Sequence, residues 1–147
     1  MKKFAAIFPG QGAQFVGMLS SLSAKYKIIE ETFSYASEVL GYDLWSLTQK
    51  GPIEKLNKTH YTQPAVLTAS VAIYNLWLQE KNIKPNIVVG YSLGEYTAMV
   101  CSNIISFHDA IKLVKFRGQL MNKITSYMYD NHLDGYYMYS IIGLKKK

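Results

Sequence analysis

Cysteine is almost absent from this chain. Cys101 is the only one in 147 residues, so no internal disulfide can form and a reducing cytoplasm fits. On the helix pattern that follows residue 94 it reads as buried filler rather than as a nucleophile. Histidine is nearly as scarce: His60, His108 and His132 each lack a second ligand at metal spacing, so no metal site is expected. Long apolar runs are missing too. Residues 64–78 are the most apolar stretch, but Thr68, Ser70 and Asn75 interrupt it, and it falls short of the ~20 residues of a membrane span. The N-terminal apolar run is stopped by Pro9, too early for a signal peptide. Among 16 basic residues Arg117 is the single arginine. The lysines behind the net charge of +6 are scattered rather than striped, which gives nucleic-acid binding little support. No internal repeat or long linker is visible. With 49% apolar and 18% charged residues, the composition suits one globular domain around a single core.

Against that plain background residues 87–96, IVVGYSLGEY, stand out. Ile87, Val88 and Val89 form a short apolar run suited to a strand buried on both faces, and 93–100 is a plausible helix. Between them Gly90-x-Ser92-x-Gly94 reads as a nucleophile elbow, where the turn is so tight that Cβ atoms on either side of the serine would collide. Glycines at 90 and 94 remove that collision. Ser92 would stand at the mouth of the turn, with the N–H groups and positive end of the next helix aimed at any oxyanion formed there. The bland alternative is an ordinary strand-to-helix turn with an idle serine.

Phe4 to Phe8 is a second apolar run, broken by Pro9 and followed by Gly10-Gln11-Gly12-Ala13-Gln14, a turn with unusual backbone angles. Three readings stay open. A dinucleotide fingerprint would need a third glycine where Phe15 stands. A simple strand-ending turn is the second. In the third, this loop supplies an oxyanion donor, because elbow enzymes pair the N–H after the nucleophile with one from a loop at another strand end. Those donors would be Leu93 and Gln11.

The rest reads as helices with punctuation. Ile29, Phe33, Ala36 and Leu40 recur at helical spacing, with Gly41 at the C-terminal cap position. Asp43 can cap a short helix over 44–49, Pro52 can open one over 52–57, and Pro64 reads as the first turn of a buried helix. Residues 107–123 form a further helix on which Ala110, Val114 and Met121 share a stripe, with Phe107, Ile111 and Gly118 beside it. Arg117 falls in the middle of that stripe, whereas Asp109, Lys112, Lys115 and Lys123 lie on other faces. A guanidinium directed into apolar surroundings needs a carboxylate or several acceptors. Snorkelling to solvent or pairing with a structural acid is the alternative.

FPGQGAQ at 8–14, GYDLWSLTQKGP at 41–52, TQPAVLTASVA at 62–72, GYSLGEY at 90–96 and FRGQLM at 116–121 occur in this order. Together they resemble the malonyl-CoA:acyl-carrier-protein transacylase family of fatty-acid synthesis, over a stretch from the N-terminus to about Leu144. The resemblance implies an α/β fold with an α/β-hydrolase-like acyltransferase core and a small ferredoxin-like insert. It also implies transfer through an acyl-serine: malonyl-CoA loads the enzyme, and the phosphopantetheine thiol of acyl carrier protein collects the group. No bound cofactor is implied. By position Ser92 matches the nucleophile, Gln11 and Leu93 the residues whose backbone N–H groups form the oxyanion hole, and Arg117 the arginine that holds the malonyl carboxylate. The positive net charge would suit the phosphates of CoA and an acidic carrier protein.

One position departs from the family. Tyr91 stands where it usually has histidine, which alters the polarity beside the nucleophile. The resemblance also implies that the general base is a histidine from the second half of a chain about twice this length. Residues 1–134 are then expected to be the N-terminal part of the core, and 135–147 the incomplete beginning of the small subdomain. Exposed apolar patches and unpaired strand edges are expected with them. A non-catalytic remnant with weak CoA or carrier affinity is the competing expectation. A serine hydrolase using Asp130 and His132 comes third.

Overall fold

The structure is a computed structural model that describes residues 3–130 and residue 143. Two strands, β1 (Ala5–Phe8) and β2 (Ile87–Gly90), pair in parallel with Ala5 opposite Ile87 and Phe8 opposite Gly90. Between them runs a helical excursion, α1 (Ser20–Ser23), α2 (Lys27–Leu40), α3 (Leu44–Lys50), α4 (Ile53–Leu56) and α5 (Thr59–Lys81). After β2 come α6 (Leu93–Cys101) and α7 (Phe107–Asp130). Asp130 and the expected subdomain from residue 135 bear on the hydrolase and domain readings, but His132 and nearly all of 135–147 lie outside the described residues.

Local rules account for most of the boundaries. Ile29, Phe33, Ala36 and Leu40 are buried on one face of α2, and Gly41 ends the helix at φ 75°, a conformation that a side chain resists. The Asp43 carboxylate accepts from Ser46 N–H at 2.7 Å and opens α3. Ser106 caps α7: its Oγ accepts from Asp109 N–H at 3.0 Å and donates to Asp109 Oδ2 at 2.6 Å. Helix α7 runs past the expected end at 123.

Helix α5 corrects the reading of Pro64 as its first turn. It begins at Thr59, so Pro64 is an interior residue that removes a helical donor to the His60 carbonyl. The start is hard to see in sequence because Lys58 provides no side-chain cap and the first four residues are polar. Everything from Thr62 to Ala72 on this helix is buried, against α2 on one side and α6 and α7 on others. Leu44, Leu56, Ala110, Ile111 and Val114 close the same core.

Strand β2 corrects a second expectation. Ile87 is 60% exposed and Val89 42%, beside Ile7 at 76% on the paired strand, so this sheet face is open. The other face is covered by α6 and by α5, through Phe8 against Tyr74 and Phe4 against Trp77, with ring centroids 6.0 and 5.8 Å apart. An apolar run signals burial without saying which element supplies the cover. Cys101 at the end of α6 is half-buried, and burial pushes its thiol up to about 12, so it is not a thiolate at neutral pH.

Gly118 lets α7 close on the start of α5. A Cβ there would lie 2.6 Å from His60 Cα and 2.9 Å from the Thr59 carbonyl oxygen. Gly118→Ala would gain about 1 kcal/mol of helix propensity but overpack this crossing by roughly 1–3 kcal/mol. Urea unfolding should therefore show Gly118→Ala to be the less stable protein. A higher midpoint for the alanine variant would refute the close approach.

Candidate active site

Parallel pairing brings the carboxyl ends of both strands to one level, so the turns that follow Phe8 and Gly90 leave the sheet side by side. Both glycines of the second turn are required by space. A Cβ on Gly90 would overlap the Gly94 carbonyl group and Glu95 N, and one on Gly94 would overlap the Phe8 carbonyl oxygen. Ser92 between them takes φ 52° and ψ −108°, a region that a non-glycine residue enters only when its surroundings hold it there. It stands immediately before the first residue of α6, so its Oγ lies at the positive end of that helix. An idle serine in an ordinary turn would not need this conformation.

The first turn leans on the second. Tyr91 N–H donates to the Phe8 carbonyl at 3.4 Å, and the Tyr91 carbonyl and ring edge would meet a Cβ on Gly10 at 3.2 and 3.4 Å. Tyr91 is 71% exposed and lies over the glycine that precedes Gln11. Two side chains then tie the loop to the end of α4 and the start of α5. Gln14 accepts from Gly12 N–H at 2.9 Å and donates through Nε2 to Asn57 Oδ1 at 2.9 Å, while Gln11 Oε1 accepts from Thr59 Oγ1 at 2.7 Å. Leu93 is buried in the core, which fixes the residue just after the serine.

Arg117 reaches this centre from α7. Its Nη2 donates to Ser92 Oγ at 3.1 Å and its Nη1 to Gln63 Oε1 at 2.8 Å, and the guanidinium carbon stands 5.7 Å from the Tyr96 ring centroid. Among the described residues these partners are all neutral. Arg117 therefore neither snorkels away nor pairs with a structural acid. A cation on Oγ favours developing negative charge there while leaving the hydroxyl proton for a base. The described residues place no histidine in hydrogen bond with Ser92. His60 lies in the first turn of α5 beside Gly118, its ring 4.3 Å from that of Tyr61, and burial first, then the Lys58 charge, pushes its pKa down. Among the described residues no group of three His, Cys, Asp or Glu side chains could hold a metal ion.

Gln63, Thr59 and Tyr96 are missing from the sequence reading. Gln63 is fully buried at the head of an apolar stretch, and a lone amide in that position is a signal that the periodicity alone does not use. Gly118 beside Arg117 is a second unused signal, since a glycine inside a helical pattern marks a close approach.

Comparison with known proteins agrees with this geometry. The acyl transferase domain family matches residues 6–130. A malonyl CoA-acyl carrier protein transacylase of Haemophilus influenzae is 54% identical over 98% of this chain and 45% of its own length. One from Escherichia coli K12 is 57% identical over 84% of this chain and 40% of its own. A solved malonyl-transacylase, in complex with a type II PKS acyl-carrier protein, superposes with a TM-score of 0.81 at 52% identity, covering 83% of this chain and 40% of that one. An acyl carrier protein S-malonyltransferase structure from Vibrio cholerae gives 0.80 at 57% identity, covering 82% and 39%. The chain thus spans less than half the length of these relatives. With its matched segment taking in the strained serine, both glycines and the arginine upon it, this α/β chain belongs to the acyl transferase domain family.

Proposed function

We propose that this chain carries the acyl-serine centre for malonyl transfer from malonyl-CoA to acyl carrier protein in fatty-acid biosynthesis. The observation that supports it best is the 3.1 Å contact of Arg117 Nη2 with Ser92 Oγ, a cation within one short acyl length of the nucleophile. The names of the relatives and the carrier-protein complex support the substrate and partner. The parallel strands ending in the Ser92 turn support an α/β-hydrolase-like core, while its extent over residues 1–134 and a small ferredoxin-like subdomain beginning at 135 rest on the family resemblance alone.

In this reading Ser92 Oγ attacks the thioester carbonyl, its proton passes to a base, and the carbonyl oxygen becomes an oxyanion held by the Gln11 and Leu93 N–H groups. Collapse breaks the C–S bond, and the base returns its proton to the departing CoA sulfur. The carrier protein's thiol then attacks the acyl-serine by the same steps reversed. The family resemblance assigns the base to a histidine of the second half. Arg117 has five N–H donors, so Nη1 can stay on Gln63 while Nη2 leaves the acylated Oγ for the malonyl carboxylate. No metal or bound cofactor takes part.

A second reading is a non-catalytic remnant with weak affinity for CoA or carrier protein. It would account for Ser92 Oγ having no base in hydrogen bond among the described residues. Supplying the remaining portion of a relative in trans separates the two. With malonyl-CoA the complemented chain should gain a malonyl ester on Ser92, seen by mass spectrometry and lost in Ser92→Ala. Failure to acylate, with the complement demonstrably bound, would favour the remnant.

Acyl selectivity gives an independent check. In the complemented protein Arg117→Ala should reduce malonyl transfer by ~2–4 kcal/mol of transition-state stabilisation and acetyl transfer far less. Arg117→Lys should rescue incompletely, because an ammonium lacks the planar fork. Equal losses for both acyl groups would mean that Arg117 is only structural.

A further inference from the structure

Four hydrogen bonds run in line from the nucleophile to the loop after β1. Arg117 donates to Ser92 Oγ at 3.1 Å and to Gln63 Oε1 at 2.8 Å; Gln63 Nε2 donates to Thr59 Oγ1 at 2.9 Å; Thr59 Oγ1 donates to Gln11 Oε1 at 2.7 Å. The direction of every link follows from the first. A guanidinium has donors only, so it must face the oxygen of the Gln63 amide, and the planar amide then turns its NH₂ the other way. That NH₂ meets Thr59 Oγ1 and, at 3.3 Å, the weak acceptor Met121 Sδ, which occupies both of its protons. Gln63 is fully buried, so water does not compete for it. Thr59 Oγ1, now an acceptor, has one proton left, and it goes to Gln11. The Gln11 amide must therefore present its oxygen to Thr59 and its NH₂ elsewhere.

Gln11 needs such a tether. It stands between Gly10 and Gly12, the latter at φ 110°, so its own backbone is poorly restrained. We propose that Thr59 is a positioning residue: its hydroxyl passes the orientation imposed by the Arg117 charge, through Gln63, to Gln11, and so fixes the loop that faces Ser92. The consequence for acyl transfer rests on the reading given under Proposed function. The relay itself does not, and its test reads the Gln11 amides rather than turnover.

The experiment uses the full 147-residue chain, ¹⁵N-labelled, with the side-chain and backbone amide signals of Gln11 as readout. Arg117→Met should shift both in the otherwise unchanged chain and in Thr59→Ser, which keeps the hydroxyl. In Thr59→Val, which has the same shape without it, Arg117→Met should produce no further shift at Gln11. Gln63→Glu gives a second test that preserves volume. A carboxylate cannot donate to Thr59 but accepts from it, so the Thr59 proton turns away and Gln11 must invert, donating Nε2–H to Thr59 Oγ1. Its side-chain signals should move accordingly. The proposal is overturned if Arg117→Met shifts Gln11 equally with and without the Thr59 hydroxyl, or if Gln63→Glu leaves the Gln11 side chain unmoved.

Discussion

Phe8 opposite Gly90 is the pairing on which the site depends. Because the strands are parallel and in register, the Pro9–Gln14 loop and the Ser92 turn emerge together, although they are more than 75 residues apart in the chain. Gly94 takes the closeness to its limit, since the Phe8 carbonyl fills the space of its missing side chain. A positive φ at a serine stores of order 1–3 kcal/mol. The ladder that ends at Gly90, the Gly94 N–H bond to Tyr91 O at 2.8 Å and the buried Leu93 hold it in place.

Around that turn the protein uses neutral hydrogen-bonding groups where charges would also fit. An acid in place of Gln63 would pair with Arg117 and neutralise it. The amide holds the guanidinium in position and leaves its charge unmatched among the described residues. Burial makes this arrangement rigid, because an amide with no access to water must keep all its partners or lose about 1–3 kcal/mol for each that is left unsatisfied. Helix α5 can carry such a group because it is enclosed by α2, α6 and α7, and Gly118 lets α7 come close enough for Arg117 to reach it.

The opposite character prevails on the open side of the sheet. Ile7, Ile87 and Val89 face outward there. On the other face, between β1 and α5, lies a groove of about 400 Å³ lined by Phe4, Ala6, Phe8, Ile73 and Trp77. Among the described residues both strands are edges, with backbone groups free to pair further. The rigid, satisfied centre and the uncovered face belong to the same two strands, the first at their carboxyl ends and the second on one face of the sheet.

Local chemistry was legible from the residues alone. Caps at Gly41 and Asp43, the stripe on α7, the elbow glycines and Ser92 all act over a few neighbouring residues, so spacing is enough to reveal them. The start of α5 was not legible, since no side chain caps it, and neither was the open face of β2, since an apolar run does not name its cover. The sequence by itself determined the glycine-flanked Ser92 turn and the helix that carries Arg117. Only the tertiary structure decided what Arg117 does there. Its bonds to Gln63 and Ser92 join residues 54 and 25 positions apart, and the Thr59–Gln11 bond spans 48. Contacts at those separations depend on how α5, α7 and two parallel strand ends pack, which no local pattern encodes.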